Sequence, residues 1–173
     1  MKIVIKYFHL IVPHLGILLI ILGLTLGHFY NWRGKAVLLP TDKTNVFITK
    51  KKEIKIVPYA LTLKQFKVEL YDSGEPKNYE AIIDVEANNQ TKTIFLYVNH
   101  PYKMAFGEDL YLISYDKQHL ENPEFCVVEL VHDPFQGVVL AGIILVMAGL
   151  VLGLCVCYRI AVLNNDATSM LSF

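Results

Sequence analysis

Two runs of this chain carry no charged residue: Tyr7 to Gly27, YFHLIVPHLGILLIILGLTLG, and Val138 to Tyr158, VVLAGIILVMAGLVLGLCVCY. Each is 21 residues long. At about 1.5 Å per residue a helix of that length reaches about 30 Å, the thickness of a bilayer's hydrocarbon core. A helix buried in a soluble core rarely lacks every charge over such a length, so the runs predict two transmembrane helices, at 7–28 and 138–158. They also take up the apolar surplus of the whole chain, which is 54% apolar and only 18% charged. Lys2 and Lys6 precede the first run and Arg159 follows the second. The positive-inside rule then puts the short tails, 1–6 and 159–173, in the cytoplasm and the segment 29–137 outside. Phe29, Tyr30 and Trp32 fit an aromatic belt at the outer end of the first span. The first run exceeds a signal-peptide core and no small-residue cleavage pattern follows it, so an uncleaved anchor is expected.

The segment between the spans holds 13 of the 16 basic and 15 of the 16 acidic residues, well mixed in sign. A formal charge of zero over the chain argues against a nucleic-acid binder. The pattern of this segment is β. Val46 to Val57 is β-rich and broken by Lys50-Lys51-Lys52, which suggests a hairpin turn or an edge. Leu61, Leu63, Phe66, Val68 and Leu70 alternate with Lys64, Lys67 and Glu69 as in a half-buried strand. Further strands are expected at Ala81–Val85, Thr93–Val98, Leu110–Tyr115 and Phe125–Val131. Asp72-Ser73-Gly74, Asn88-Asn89 and Asn99-His100-Pro101 supply the turns between them. Six or seven short strands so punctuated predict an all-β, antiparallel sandwich or open barrel.

No catalytic constellation is present. Gly-rich phosphate loops, G-x-S-x-G, H-E-x-x-H and C-x-x-C-H are all missing from the sequence. Cys126 stands alone in the outer segment, while Cys155 and Cys157 fit apolar packing better than a C-x-C metal site. Asn89-Gln90-Thr91 matches a glycosylation acceptor, which matters only in a eukaryotic secretory setting. Lys50-Lys51-Lys52 with Lys55 reads as a solvated or edge-protecting face, with contact to anionic headgroups as the alternative.

Histidine is more informative. His14 follows Pro13 inside the first span, where an ionisable residue is expensive unless it faces a partner or ligand. A hydrogen bond to a neighbouring helix would serve equally well from position alone. His9 and His28 fall at the interfaces, and His100, His119 and His132 fall at turns or strand ends where solvation is the plain reading. Glycines recur at helix-packing spacing. Gly16, Gly23 and Gly27 lie on one face of the first span, and Gly142, Gly149 and Gly153 on one face of the second. Small residues there let two backbones approach closely, so both spans are expected to pack on each other or on a partner.

The order of these features resembles the ResB (CcsB) family of system II cytochrome c biogenesis. His14-Leu15 with Leu18, Leu19 and Gly23 resembles the family's H-L-x-L-L-L-L-L-x-G span, and Pro58 with Leu61, Leu63, Phe66, Val68 and Glu69 resembles its "pF-x-L-x-L-x-x-F-x-V-E" strand. Gly74 to Tyr79 is similar to G-x-P-K-x-Y/F, and Val98-Asn99-His100-Pro101 to V-N-x-P. Gly107 with Tyr111, Ser114 and Tyr115 is similar to G-x-x-x-Y-Q-x-S-Y. Val131, Asp133 and Pro134 with Gly142 and Gly149 resemble the entry to the last span. Leu112 stands where the family has glutamine and Phe135 where it has glycine after Asp-Pro. The chain is also shorter than a typical member, without further upstream spans or a long outer insertion.

The resemblance implies a membrane complex with a ResC/CcsA-type multi-span protein, which carries a tryptophan-rich haem-binding motif. That complex moves haem outward and joins its vinyl groups to the thiols of apocytochrome c. His14 occupies the position of the family's axial haem ligand in the span, and no metal other than haem iron is implied. Trp32 is the chain's only tryptophan, so the covalent chemistry would centre on the partner. The implied setting is the inner membrane of a bacterium. The reading from a different class keeps the topology but makes the chain a two-span anchor with an outer β interaction module and no haem role.

Overall fold

The computed structural model describes residues 2–73, 76–119 and 123–170, with side chains described for 8–73, 77–119 and 123–159. It divides into a helical unit, up to Tyr30 and from Phe135 onward, and a β unit, Asn31–Pro134. The protein is a two-span membrane protein with an all-β antiparallel domain between its spans.

The helical unit consists of α1 (Lys2–Tyr30) and α2 (Gln136–Met170), each longer than its uncharged run. The stretches long and apolar enough to cross a bilayer are Phe8–Tyr30 and Gln136–Arg159, 23 and 24 residues. Helix is the conformation such sequences must take in lipid, because only it satisfies every backbone group within the segment. The two helices run antiparallel, with Pro13 facing Gly149, Gly16 facing Gly142 and Val146, and Gly23 facing Val139. A soluble core helix would be covered all round. Here Leu18, Ile21 and Leu24 are each 60% exposed and Leu154 is 72% exposed, an apolar exterior suited to lipid.

Among the described residues the β unit is one eight-stranded sheet. Its strands are β1 (Trp32–Leu38), β2 (Thr44–Thr49), β3 (Ile54–Leu70), β4 (Pro76–Ala87), β5 (Gln90–Tyr97), β6 (Tyr102–Ala105), β7 (Glu108–Tyr115) and β8 (Cys126–His132). Their order is β5-β4-β3-β2-β1-β8-β7-β6, with every neighbouring pair antiparallel. The two edge strands, β5 and β6, are consecutive in sequence and joined by residues 98–101, so the sheet must curl until its edges meet. The result is an almost closed up-and-down barrel, sealed by seven paired positions from Trp32↔His132 to Leu38↔Cys126. Register shifts at Thr44/Val46, Leu63/Gln65 and Leu112/Ser114 supply the bends that curling needs. Inward positions fill the interior: Leu38, Phe47, Leu61, Leu63, Ile83, Ile94, Leu96, Leu110, Cys126, Val128 and Leu130 are almost fully buried in one cluster. Burying one such side chain is worth about 1.5–3 kcal/mol.

Of the two expected architectures the open barrel is the one found, with eight strands in place of six or seven. The additional strands are β1 and β6. Trp32 starts β1 instead of extending the aromatic end of α1, which Phe29 and Tyr30 close. The stretch 54–70 is a single strand through Pro58, because the β2 ladder slips between Thr44 and Val46 and the β4 ladder begins only at Ala60. Pro58 therefore occupies a place where neither ladder asks for an N–H.

Candidate functional site

His14 lies on the outward face of α1 and is exposed. Its Nδ1–H donates to the Leu10 carbonyl one turn earlier, at 2.6 Å. A carbonyl can only accept, so this bond fixes a hydrogen on Nδ1 and leaves Nε2 out of the bond. Leu18, Ile21, Thr25 and His28 follow His14 along the same helical stripe, and all are exposed. Within that stripe the Thr25 hydroxyl donates back to the Ile21 carbonyl at 2.7 Å. The only polar groups of the stripe with free valence are therefore the two imidazoles, about 21 Å apart along the axis.

The opposite face of α1 forms the seam with α2. A Cβ at Gly16 would lie 2.7 Å from the Gly142 carbonyl oxygen, and one at Gly142 would lie 2.7 Å from that of Gly16. At Gly149 an added Cβ would meet the Pro13 ring, with Pro13 N at 2.8 Å, and at Gly23 it would meet Val139. Gly27 is buried. Gly153 differs from the others: nothing lies within 4 Å of a Cβ placed there, so it takes no part in the seam.

In the β unit, a polar group gathers at the sheet end where β1 begins and β8 finishes. Glu108 accepts from two donors, the Tyr59 hydroxyl at 3.2 Å and His132 Nδ1–H at 3.0 Å. The Trp32 indole stacks on the His132 ring, centroids 5.5 Å apart and planes 20° from parallel. Burial, reinforced by the Glu108 charge, pushes the Tyr59 hydroxyl well above the usual phenol range, so it stays a donor. No local sequence pattern marks this group, because Tyr59, Glu108 and His132 come from three strands, β3, β7 and β8, and only the Glu108↔His132 register unites two of them.

Family-motif positions gather at two places. Gly107 has φ 72°, and an added Cβ would sit 2.6 Å from the Asp133 carbonyl oxygen and 2.8 Å from Pro134 Cα. The Asp133 N–H donates to the Gly107 carbonyl at 2.6 Å. Gly107, Asp133 and Pro134 are thus one closely packed corner that no other residue type would fit at position 107. Asn99, in the left-handed region at φ 60°, and Tyr111 line one cavity of about 550 Å³ with Arg33 and Glu129. Pro101 is exposed just before β6.

Two further sets of side chains have ligand or thiol chemistry. Asp116, His119 and Glu124 bring their ligand atoms within 4.8 Å of one another. His119 Nδ1 lies 2.7 Å from Asp116 Oδ2, which with the Gln118 backbone N–H holds the Asp116 carboxyl below its usual range against the opposing effect of burial. The same bond raises the His119 imidazole. Cys126 is fully buried, and burial pushes its thiol up to about 12, so it is inert. Cys155 and Cys157 are exposed on α2.

The fold is not isolated among known proteins. The chain is similar to a solved structure titled cytochrome c heme lyase CcmF, with a TM-score of 0.52 and 11% identity, over 83% of this chain. It spans only 24% of that protein's length, and at this identity the likeness is one of fold. No curated protein matches the chain. Residues 5–125 match the family model described as the ResB-like family, a stretch that holds α1 from its fourth residue, with His14, and β1 to β7, and stops before Asp133 and Pro134. With most of its length so matched, the chain belongs to the ResB-like family.

Proposed function

We propose that this protein is an accessory subunit of a membrane cytochrome c synthase complex, assisting the passage of haem across the membrane and its attachment to apocytochrome c. The observation that carries the reading is His14: an imidazole inside a span, turned away from its helix partner, with Nδ1–H engaged and Nε2 free. The donor set fits haem iron, which takes a neutral imidazole nitrogen as an axial ligand. Bound haem would supply the reactive vinyl groups. This chain's own part is to hold the ring by the Leu10 carbonyl and to offer Nε2 on the open face of α1. An imidazole left facing lipid there would be costly, which favours a multi-span ResC/CcsA-type partner lying against that face. The setting is the cytoplasmic membrane of a bacterium, both termini inside and the β domain outside, where it would meet the apocytochrome.

The test is functional. In cells that depend on this gene and its multi-span partner for cytochrome c, deletion abolishes covalently attached haem, read by haem stain on denaturing gels. Full-length protein restores it, and His14→Ala restores less than a tenth as much. Full restoration by His14→Ala would leave the anchor-and-module reading in its place.

A further inference from the structure

A cationic cavity opens at the point where the chain enters the β domain. Its volume is about 490 Å³, and Asn31, Trp32, Arg33, Lys35, Lys50 and Lys51 line it. Asn31 directly follows Tyr30, the last residue of α1. An extended chain advances at most about 3.6 Å per residue, so covalent continuity alone keeps the first lining residues at the depth where the span leaves the hydrocarbon.

Strand pairing brings the lysines to the same end. β1 and β2 are antiparallel with Gly34 opposite Thr49, so the turn after β2 returns to the start of β1. That turn is built firmly: Thr49 N–H donates to the Glu53 carbonyl at 2.9 Å, Lys52 N–H donates to the Thr49 carbonyl at 2.9 Å, and Lys52 takes φ 63°. Lys50, Lys51 and Lys52 are all exposed at its tip. Two carboxylates, Glu53 and Glu129, also border the cavity. Glu53 lies 3.7 Å from the Lys55 ammonium, so the cavity keeps a positive excess.

Solvation would account for the lysines but not for their neighbours. Ile48 and Ile54 are paired directly across β2 and β3 and are 55% and 66% exposed. Lys35 stands in the same cross-strand row, paired with Ile48. Exposed aliphatic groups beside a row of ammonium and guanidinium groups are the arrangement of an interfacial binding surface. The apolar groups enter the acyl boundary while the cations meet phosphate.

We infer that this end of the β domain binds the headgroups of anionic phospholipids in the leaflet at which α1 ends. The cavity takes a phosphate, and Ile48 and Ile54 seat the hairpin at the acyl boundary. The inference needs only the membrane spans and does not depend on the haem reading.

Spin-labelled phosphatidylglycerol and phosphatidylcholine, compared by electron paramagnetic resonance around the full-length protein in phosphatidylcholine vesicles, test it. Near an anionic headgroup one cation is worth about a fivefold preference, so the wild-type protein is expected to favour phosphatidylglycerol several-fold at low salt and less at high salt. The combined variant Arg33→Gln, Lys35→Gln, Lys50→Gln, Lys51→Gln is expected to bring the ratio to about one. Lys35→Arg, Lys50→Arg, Lys51→Arg, which keeps the charge, and Lys67→Gln, Lys77→Gln, Lys92→Gln, Lys117→Gln, which removes charge elsewhere, are both expected to preserve it. The inference is overturned if the neutralised variant keeps the preference or if the remote set loses it equally. It also fails if inorganic phosphate at constant ionic strength abolishes the preference, since a free anion would then be the ligand.

Discussion

His14 and His132 orient an imidazole by the same device with different acceptors. In the span the acceptor is the neutral Leu10 carbonyl; in the β domain it is the Glu108 carboxylate. A third histidine, His119, is paired with Asp116. The Asp116 carboxyl, held low mainly by its hydrogen bond from His119, stabilises the fold above the ordinary carboxylate pKa of about 3.9, and that contribution is lost as pH falls through the lowered value. His119, held high by the same bond, contributes fully below the ordinary imidazole pKa of about 6.5 and loses that contribution as pH rises through the raised value. The pair is therefore at full strength between about pH 4 and 6.5. NMR titration of the full chain should find His119 protonated to a higher pH than an ordinary histidine, and Asp116→Asn should return it to the ordinary range. An unchanged midpoint would show that the pair is not formed. At Gly107 the prediction concerns backbone: Gly107→Ala meets both a left-handed φ and the Asp133 carbonyl. It should destabilise the domain by about 1–3 kcal/mol, read as a lowered midpoint of unfolding.

At the scale of elements, the seam and the hairpins separate what the sequence could show from what it could not. Glycine spacing points to a packing face but treats its members alike; the structure distinguishes Gly142, which touches Gly16, from Gly153, which touches nothing. Gly142→Leu should therefore loosen the helix pair and lower the melting temperature of the detergent-solubilised protein, at a cost of about 1–3 kcal/mol. Gly153→Leu, one residue type on the same face, should leave it unchanged unless a partner covers that position. Asn88-Asn89 was legible as a turn, and its φ values of 50° and 59° are the signature of a two-residue type I′ hairpin between β4 and β5. Asn88→Val with Asn89→Val should destabilise the domain by about 2–4 kcal/mol, because branched side chains are disfavoured at positive φ by about 1–2 kcal/mol each. β1 was not legible. Its inward positions are Gly34, Ala36 and Leu38 and its outward ones Arg33, Lys35 and Val37, so the usual large-apolar alternation is absent. β6 is only four residues long. The Tyr59–Glu108–His132 group escaped for another reason: its members meet through strand register, which no local pattern encodes.

The whole molecule is a pair of apolar helices with one chain segment between them curled into an almost closed barrel. Its two edge strands are sequence neighbours, so the curl follows from connectivity and the bulges that permit it. Family membership rests on a match through residues 5–125, and that stretch contains His14, the residue on which the proposed haem role rests. The decisive measurement is the Soret absorbance of the full-length protein purified with its multi-span partner, compared between wild type and His14→Ala, without and with added imidazole. The proposed role predicts that the wild-type complex carries a Soret band, that His14→Ala loses most of it, and that imidazole restores it by replacing the missing ligand. An undiminished Soret band in His14→Ala would contradict the assignment of His14 to haem iron.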